Sequence, residues 1–214
     1  PSQPALTALV QELGLTPDTP AVIIYTGIDA TDFGGAARVY WTLKSLGVQQ
    51  LSILNGGLTA WKAAGLPVAS QASVASRSRW QPQFNPQWMA TRDQVRASLD
   101  EPGVLRVDAR PAPFYQGRIA ADAAHARGTL PGAVNLDSEN WFELGSAALM
   151  DKAALQDEAD KLNAAPAQPI IAFCNAGHWS ATDWFVLSEV LGRPGVRMYP
   201  GSIIDWTSAP APLP

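Results

Sequence analysis

The chain has 214 residues, of which 47% are hydrophobic and 16% charged, and its formal net charge at pH 7 is −4. This composition is typical of a globular protein with one large domain or two small ones. The mild acidity argues against nucleic acid as a partner, and no apolar run approaches the ~20 residues that span a membrane. One cysteine and two histidines argue against an internal disulfide and against a metal site.

Short apolar runs alternate with amphipathic stretches along the chain. In order, they predict a helix at 4–13, a strand at 21–25, helix 34–46, strand 51–54, helices 58–64 and 91–99, strands 104–107 and 133–135, helix 151–162, strand 170–173, a helix ending at Gly192, strand 196–199 and a short helix ending near Trp206. Strands that alternate with helices indicate an α/β fold with a parallel sheet.

Residues 67–90 differ from the rest of the chain. Serine, glutamine and arginine alternate there, prolines interrupt the pattern, and Trp80, Phe84 and Trp88 recur at short intervals. We interpret this stretch as a linker that lies on a surface and is anchored by its aromatic residues.

The only cysteine, Cys174, lies between the strand predicted at 170–173 and the helix that follows. Ligand sites in open α/β sheets lie beyond the carboxyl ends of strands, and a helix N-terminus offers N–H groups that stabilise anions and thiolates. One interpretation of Cys174 is therefore a reactive thiol in an anion cradle, and the other is a small buried hydrophobic residue.

An internal repeat predicts two copies of one unit. Residues 46–61 and 191–206 align without a gap and share four landmarks: Leu46 with Leu191, Gly47 with Gly192, Gly56 with Gly201, and Trp61 with Trp206. Upstream, 22–26 aligns with 170–174, which sets Thr26 opposite Cys174. We expect a first domain at 1–66, a linker at 67–90 and a second domain at 91–214.

The second copy contains four short motifs, one after another along the chain. They are Val-Asp-Ala-Arg at 107–110, Gly-Thr-Leu-Pro-Gly-Ala-Val-Asn at 128–135, Cys-Asn-Ala-Gly at 174–177, and Tyr-Pro-Gly-Ser at 199–202 followed by Trp206. In these segments the chain resembles the tandem-domain rhodaneses, a family of thiosulfate and 3-mercaptopyruvate sulfurtransferases. The resemblance implies a rhodanese-like open parallel sheet with helices on both faces, in two copies, the first lacking its N-terminal half.

The resemblance also implies a chemistry. The Cys174 thiolate would take a sulfane sulfur from a small anionic donor, hold it as a persulfide, and pass it to a thiol or cyanide acceptor without any cofactor. Backbone N–H groups of the loop would stabilise the negative charge. The residues expected to bind the substrate are those of the loop and two arginines: Asn175, Ala176, Gly177, His178, Trp179, Ser180, Arg110 and Arg118.

The loop departs from the family pattern and leaves the donor undefined. Asn175 and Ala176 stand where family members have basic residues or a Gly-Ser pair. Phe114 occupies the place of a substrate-binding arginine, for which Arg118 is the nearest substitute. Arg110 has a structural ion pair as its alternative role.

Two neighbouring loop residues also differ from the family. His178 could donate to an anion or shuttle a proton, or could simply contact solvent, and Trp179 is expected to narrow the pocket. The loop slightly favours a bacterial periplasmic protein over a cytoplasmic one.

Two other functions remain as alternatives. A phosphatase or arsenate reductase of the Cys-x5-Arg type needs an arginine six residues after the cysteine, where this chain has Ser180. A non-enzymatic rhodanese-like module that carries or binds sulfur usually lacks the cysteine or a loop glycine, and this chain has both.

The first copy lacks counterparts of the strands at 104–107 and 133–135. Strands of a parallel sheet are buried on both faces and need their neighbours, so we expect an associated N-terminal fragment, as a second chain, to complete the first sheet.

Overall fold

Two parallel β-sheets form the framework of the chain, within the residues 2–208 that this computed structural model describes. The smaller sheet pairs β1 with β2, and the larger has the strand order β4-β3-β5-β6. The strands are β1 Ala21–Ile23, β2 Leu51–Ile53, β3 Leu105–Asp108, β4 Val134–Asn135, β5 Ile170–Phe173 and β6 Val196–Met198. Every pairing is parallel, so the predicted α/β fold with a parallel sheet is confirmed.

Helices connect these strands. They are α1 Gln3–Glu12, α2 Ala30–Leu46, α3 Gly57–Ala63, α4 Arg92–Ala97, α5 Ala112–Tyr115, α6 Lys152–Asp160, α7 Trp179–Trp184 and α8 Ser202–Ser208, and α7 continues directly as a π-helix, Phe185–Val190. No helix among residues 2–208 is long and apolar enough to cross a membrane.

Helix α2 begins earlier than the sequence predicts. The stretch before Gly34 was expected to be a polar loop, but the helix starts at Ala30 because the carboxylate of Asp29 accepts the N–H of Asp32 at 2.8 Å. The helix ends at Gly47, whose φ of 105° is left-handed and suits a glycine. The four additional residues bring Thr31 close to the loop after β5.

The backbone contacts after β1 and β5 match one by one. The carbonyl of Tyr25 accepts the N–H of Leu58 at 2.8 Å, and the carbonyl of Cys174 accepts the N–H of Ile203 at 3.0 Å. Tyr25 therefore takes the place of Cys174, and the predicted alignment with Thr26 is wrong by one residue. The apolar run before each residue is uniform, so the sequence alone did not fix this register.

The predicted linker, residues 67–90, lies along the rest of the chain. Trp88 accepts a hydrogen bond from the indole of Trp41 through its carbonyl oxygen at 3.1 Å, and Phe84 packs on the same indole at 5.8 Å between ring centroids. At the end of the linker, Ala90 donates its N–H to the carbonyl of Met198 in β6 at 2.8 Å. The domain boundaries at 66 and 91 stay a prediction.

Residues from both sheets share one hydrophobic core. Phe33 of α2 lies at its centre, fully buried, and meets the rings of Tyr25, Phe142 and Phe185 edge to face at centroid distances of 5.4, 5.3 and 5.7 Å. Edge-to-face pairs of this kind stabilise beyond the area they bury. Helix α2 thus packs against α7 and its π-helical continuation.

The Tyr25 hydroxyl joins this core to a distant segment. It donates to the carbonyl of Ala147 at 2.6 Å and accepts the N–H of Gly56 at 2.9 Å. Tyr25→Phe leaves both backbone groups buried without a partner, and we expect a loss of about 1–3 kcal/mol in the free energy of unfolding. Urea denaturation of the purified chain measures it.

A matched control is Tyr115→Phe. Tyr115 is half-buried and makes one hydrogen bond, to the carbonyl of Ala133 at 2.9 Å, so its removal should cost less. An equal or smaller loss at Tyr25 contradicts the role assigned to its hydroxyl.

Candidate active site

Cys174 lies directly after β5, where the carboxyl ends of the strands meet, and only 2% of it is exposed. Strand β5 is buried along its whole length and pairs with β3 on one side and with β6 on the other. The sequence predicted this strand, and the strand holds the thiol at a fixed position at the edge of the sheet.

Ser202, at the start of α8, holds the backbone of Cys174. Its hydroxyl accepts the N–H of Cys174 at 3.0 Å and donates to the carbonyl of Tyr199 at 2.8 Å. The φ of Ser202 is 54°, a left-handed conformation that is uncommon for a residue with a side chain. This conformation costs free energy and persists because the two hydrogen bonds hold it, and residues of this kind cluster at functional sites.

Among residues 2–208, two donors point at the sulfur atom, whereas the Ser202 hydroxyl, 4.0 Å from it, donates to the carbonyl of Tyr199. The N–H of Gly177 lies 3.0 Å from Cys174 Sγ, and the hydroxyl of Ser180 lies 3.5 Å from it. Both residues are buried. Hydrogen bonds to an ionised acceptor are stronger than neutral ones, so this arrangement suits a sulfur atom that carries negative charge.

A small cavity of about 180 Å³ opens at the sulfur. Its walls come from α2 and from the loop after β5: Thr31, Cys174, Asn175, Ala176, His178 and Trp179. The Trp179 indole donates to the hydroxyl of Thr31 at 3.2 Å and packs against the ring of Phe114 at 5.8 Å. Larger cavities of about 410 and 570 Å³ lie beside β1, and no loop residue lines them.

Arg110 contacts the loop after β5, and the carboxylate of Asp108 balances its charge. Its guanidinium donates to both carboxylate oxygens of Asp108, at 2.8 and 2.6 Å, and to the carbonyl of Gly128 at 2.8 Å. Only Nη1 reaches the loop, at 3.3 Å from Asn175 Oδ1. The geometry is that of the structural ion pair named above as its alternative role.

Arg118 is not among the residues that line the cavity. It is exposed, and its side chain forms no hydrogen bond with the residues described, 2–208. A role for Arg118 in donor binding stays a prediction.

His178 lies at the rim of the cavity. Neighbouring atoms that displace water from its imidazole lower its pKa below the ordinary 6.5, and the positive charge of Arg38 lowers it further. The imidazole is therefore mostly neutral at pH 7.

Asp183 is a buried acid that the sequence analysis missed. It is fully buried, its Oδ1 accepts the indole N–H of Trp141 at 2.8 Å, and its Oδ2 has no hydrogen-bond partner within residues 2–208. Burial raises the pKa of this carboxyl well above 3.8, and the negative charge of Cys174 adds to the effect. Its position inside an apolar helix stretch gave no signal of this environment.

Arg38 of α2 is the other residue that sequence reasoning missed. Its Nη1 donates to the carbonyl of Gly177 at 3.1 Å, so a residue of the first predicted domain contacts the loop of the second. No local motif predicts this contact, because 139 positions separate the two residues.

Within residues 2–208, no group of His, Cys, Asp or Glu side chains could hold a metal ion.

Similarity to known proteins identifies the family of this chain. Residues 91–209 match the family described as Rhodanese-like domain. The chain is 30% identical over 213 residues to thiosulfate sulfurtransferase from Rattus norvegicus, which covers 96% of this chain and 69% of that protein.

Solved structures share the fold. The crystal structure of SseA from Escherichia coli, described as a 3-mercaptopyruvate sulfotransferase, has a TM-score of 0.79 and 26% identity over 94% of this chain and 73% of that one. A variant of EanB in complex with ergothioneine has a TM-score of 0.86 at 20% identity. The match covers 98% of this chain but 54% of the EanB chain, so this chain spans about half of that protein.

Gly177 offers a test of the loop geometry. Its φ is 88°, and an added Cβ would overlap Arg38 Nη1 and lie 2.8 Å from the carbonyl oxygen of Pro200. Gly177→Ala therefore adds a clash to backbone strain, and we expect it to lower the free energy of unfolding by more than about 1 kcal/mol, as measured by chemical denaturation.

Gly192→Ala is the control, because it adds backbone strain without adding a clash. Gly192 has a φ of 71°, and nothing lies within 4 Å of an added Cβ there. If both substitutions cost the same, the close approach of Arg38 and Pro200 to Gly177 does not exist in solution.

Proposed function

Because this chain belongs to the rhodanese family of sulfurtransferases, we propose that it transfers a sulfane sulfur through a persulfide on Cys174. The donor is a small anion such as thiosulfate or 3-mercaptopyruvate, and the acceptor is a thiol or cyanide. The observation that carries the proposal is the Cys174 sulfur, which faces the Gly177 N–H at 3.0 Å and the Ser180 hydroxyl at 3.5 Å beside an open cavity.

The reaction has two steps when thiosulfate is the donor. The Cys174 thiolate attacks the outer sulfur, a new S–S bond forms, and sulfite leaves with the electron pair of the broken S–S bond. Cyanide then attacks the outer sulfur of the persulfide, thiocyanate forms, and the thiolate returns. The Gly177 N–H and the Ser180 hydroxyl stabilise the negative sulfur in both states.

The remaining loop residues shape the donor site. Asn175, Ala176, His178 and Trp179 form its walls with Thr31. A cavity of about 180 Å³ favours a compact donor. None of these wall residues carries a charge at pH 7, because the His178 imidazole is mostly neutral there.

We also propose that the two sheets are two copies of one unit, as the repeat predicts. The order β1-α2-β2-α3 repeats as β5-α7-β6-α8. In both units the first residue of one strand pairs with the first residue of the next: Ala21 with Leu51, and Ile170 with Val196. The shared core around Phe33 then joins two domains, with boundaries at 1–66, 67–90 and 91–214.

Cys174→Ser should abolish thiocyanate formation from thiosulfate and cyanide while the fold is retained, because the change is nearly isosteric and removes the only nucleophilic sulfur. Thiocyanate assays together with circular dichroism measure both effects. Mass spectrometry of the wild-type protein after thiosulfate should show one added sulfur atom, which cyanide removes.

Activity of the serine variant above a few percent of wild type contradicts the assignment. Turnover of p-nitrophenyl phosphate by the wild type in place of thiosulfate would instead support the phosphatase alternative. A folded wild type that forms neither persulfide nor thiocyanate would support a non-enzymatic binding module.

The free edge of β1 supports a proposal about a partner. Strand β5 has neighbours on both sides, whereas β1 pairs only with β2 among the described residues 2–208, and Val22 and Ile24 are each 60% exposed. We propose that a strand of an associated fragment, the remainder of the first copy, pairs with β1 and covers these side chains.

Val22→Lys tests this proposal. A lysine is tolerated on an exposed strand but is costly where another strand or helix covers the position, so the fragment should dissociate from this variant. Native purification followed by denaturing electrophoresis and intact-mass analysis should find two species with wild type and one with the variant. A single wild-type species that unfolds cooperatively as a monomer contradicts the partner.

A further inference from the structure

The sulfur loop lacks a positive charge of its own. Residues 174–180 read Cys-Asn-Ala-Gly-His-Trp-Ser, and the histidine among them is mostly neutral at pH 7. The charge of Arg110 is balanced by both oxygens of Asp108. A cation from elsewhere in the fold would therefore add to the hydrogen bonds that stabilise a thiolate and an anionic donor here.

Arg38 reaches the loop from α2. Its Nη1 donates to the carbonyl of Gly177 at 3.1 Å, and the N–H of the same Gly177 lies 3.0 Å from Cys174 Sγ. Gly177 is thus held at its carbonyl while its N–H faces the sulfur. A side chain at this position would overlap the guanidinium, which explains why the loop has a glycine there.

The guanidinium is held in place without a carboxylate. Its Cζ lies 5.2 Å from the ring centroid of Trp41, a cation–π contact, and Arg38 forms no ion pair with any residue of the described range 2–208. Burial lowers the pKa of Arg38, and the negative charge of Cys174 opposes that effect.

We propose that Arg38 is a positioning residue for the sulfur loop: it fixes the Gly177 peptide against Cys174 and supplies the positive charge that favours an anion at that sulfur. The first predicted domain then contributes a functional group to the second. This inference deepens the proposed function, since an anionic donor is the species that gains from the charge.

The test compares two alkylating reagents that differ in charge. Iodoacetate and iodoacetamide react with the same thiolate by the same displacement and are similar in size, so the ratio of their rates reports the electrostatic field at Cys174. General loss of structure changes both rates together, whereas loss of a nearby cation slows the anionic reagent selectively.

Arg38→Met removes the charge and keeps an unbranched side chain over Trp41. The ratio of iodoacetate to iodoacetamide rates should fall at least about threefold. It should stay near the wild-type value in Arg38→Lys, which keeps the charge. Arg96→Met, at an exposed arginine on α4, is the control and should leave the ratio unchanged.

Arg38→Gln provides a second neutral variant, and circular dichroism shows which variants fold. An unchanged ratio in whichever neutral variant folds overturns the proposal. The measurement does not depend on sulfur transfer: a wild type that forms no thiocyanate contradicts the proposed function, whereas an unchanged alkylation ratio contradicts the role of Arg38.

Discussion

The close packing of α2 against α7 is the constraint on which the rest of the structure depends. Gly34 makes it possible, since a Cβ there would lie 3.1 Å from the carbonyl oxygen of His178. A larger residue would push the helices apart and open the core around Phe33. The same approach brings Thr31 and Arg38 to the loop, so the packing that stabilises the fold also assembles the site.

The site is consequently assembled from distant parts of the chain. Strand β5 fixes the sulfur, the first residue of α8 holds the Cys174 N–H, and α2 contacts the loop from the other side. The contacts from α8 and from Arg38 are hydrogen bonds between a side chain and the backbone of the loop, and they restrict the loop to a narrow range of conformations. Because the loop is already held in place, the Gly177 N–H and the Ser180 hydroxyl can stabilise the sulfur without any rearrangement.

The sequence predicted those parts of this arrangement that depend on local pattern. The apolar run at 170–173 indicated a buried strand, and the cysteine after it indicated a site. Arg38 and Asp183 were missed because their environments depend on packing between distant segments. The error of one residue at Thr26 has a related cause: a uniform apolar run identifies a strand, and only its hydrogen-bonded neighbours determine the register.

The buried carboxyl of Asp183 couples folding to proton uptake. In an unfolded chain Asp183 ionises near its ordinary value of 3.8, whereas the folded chain keeps it protonated to a much higher pH. Between pH 3.8 and the higher pKa of the folded chain, each molecule that folds therefore takes up a proton at this position. Through this group the free energy of unfolding decreases as the pH rises from that value towards the pKa in the folded chain. Asp183 thus stabilises the fold less at neutral pH than in acid.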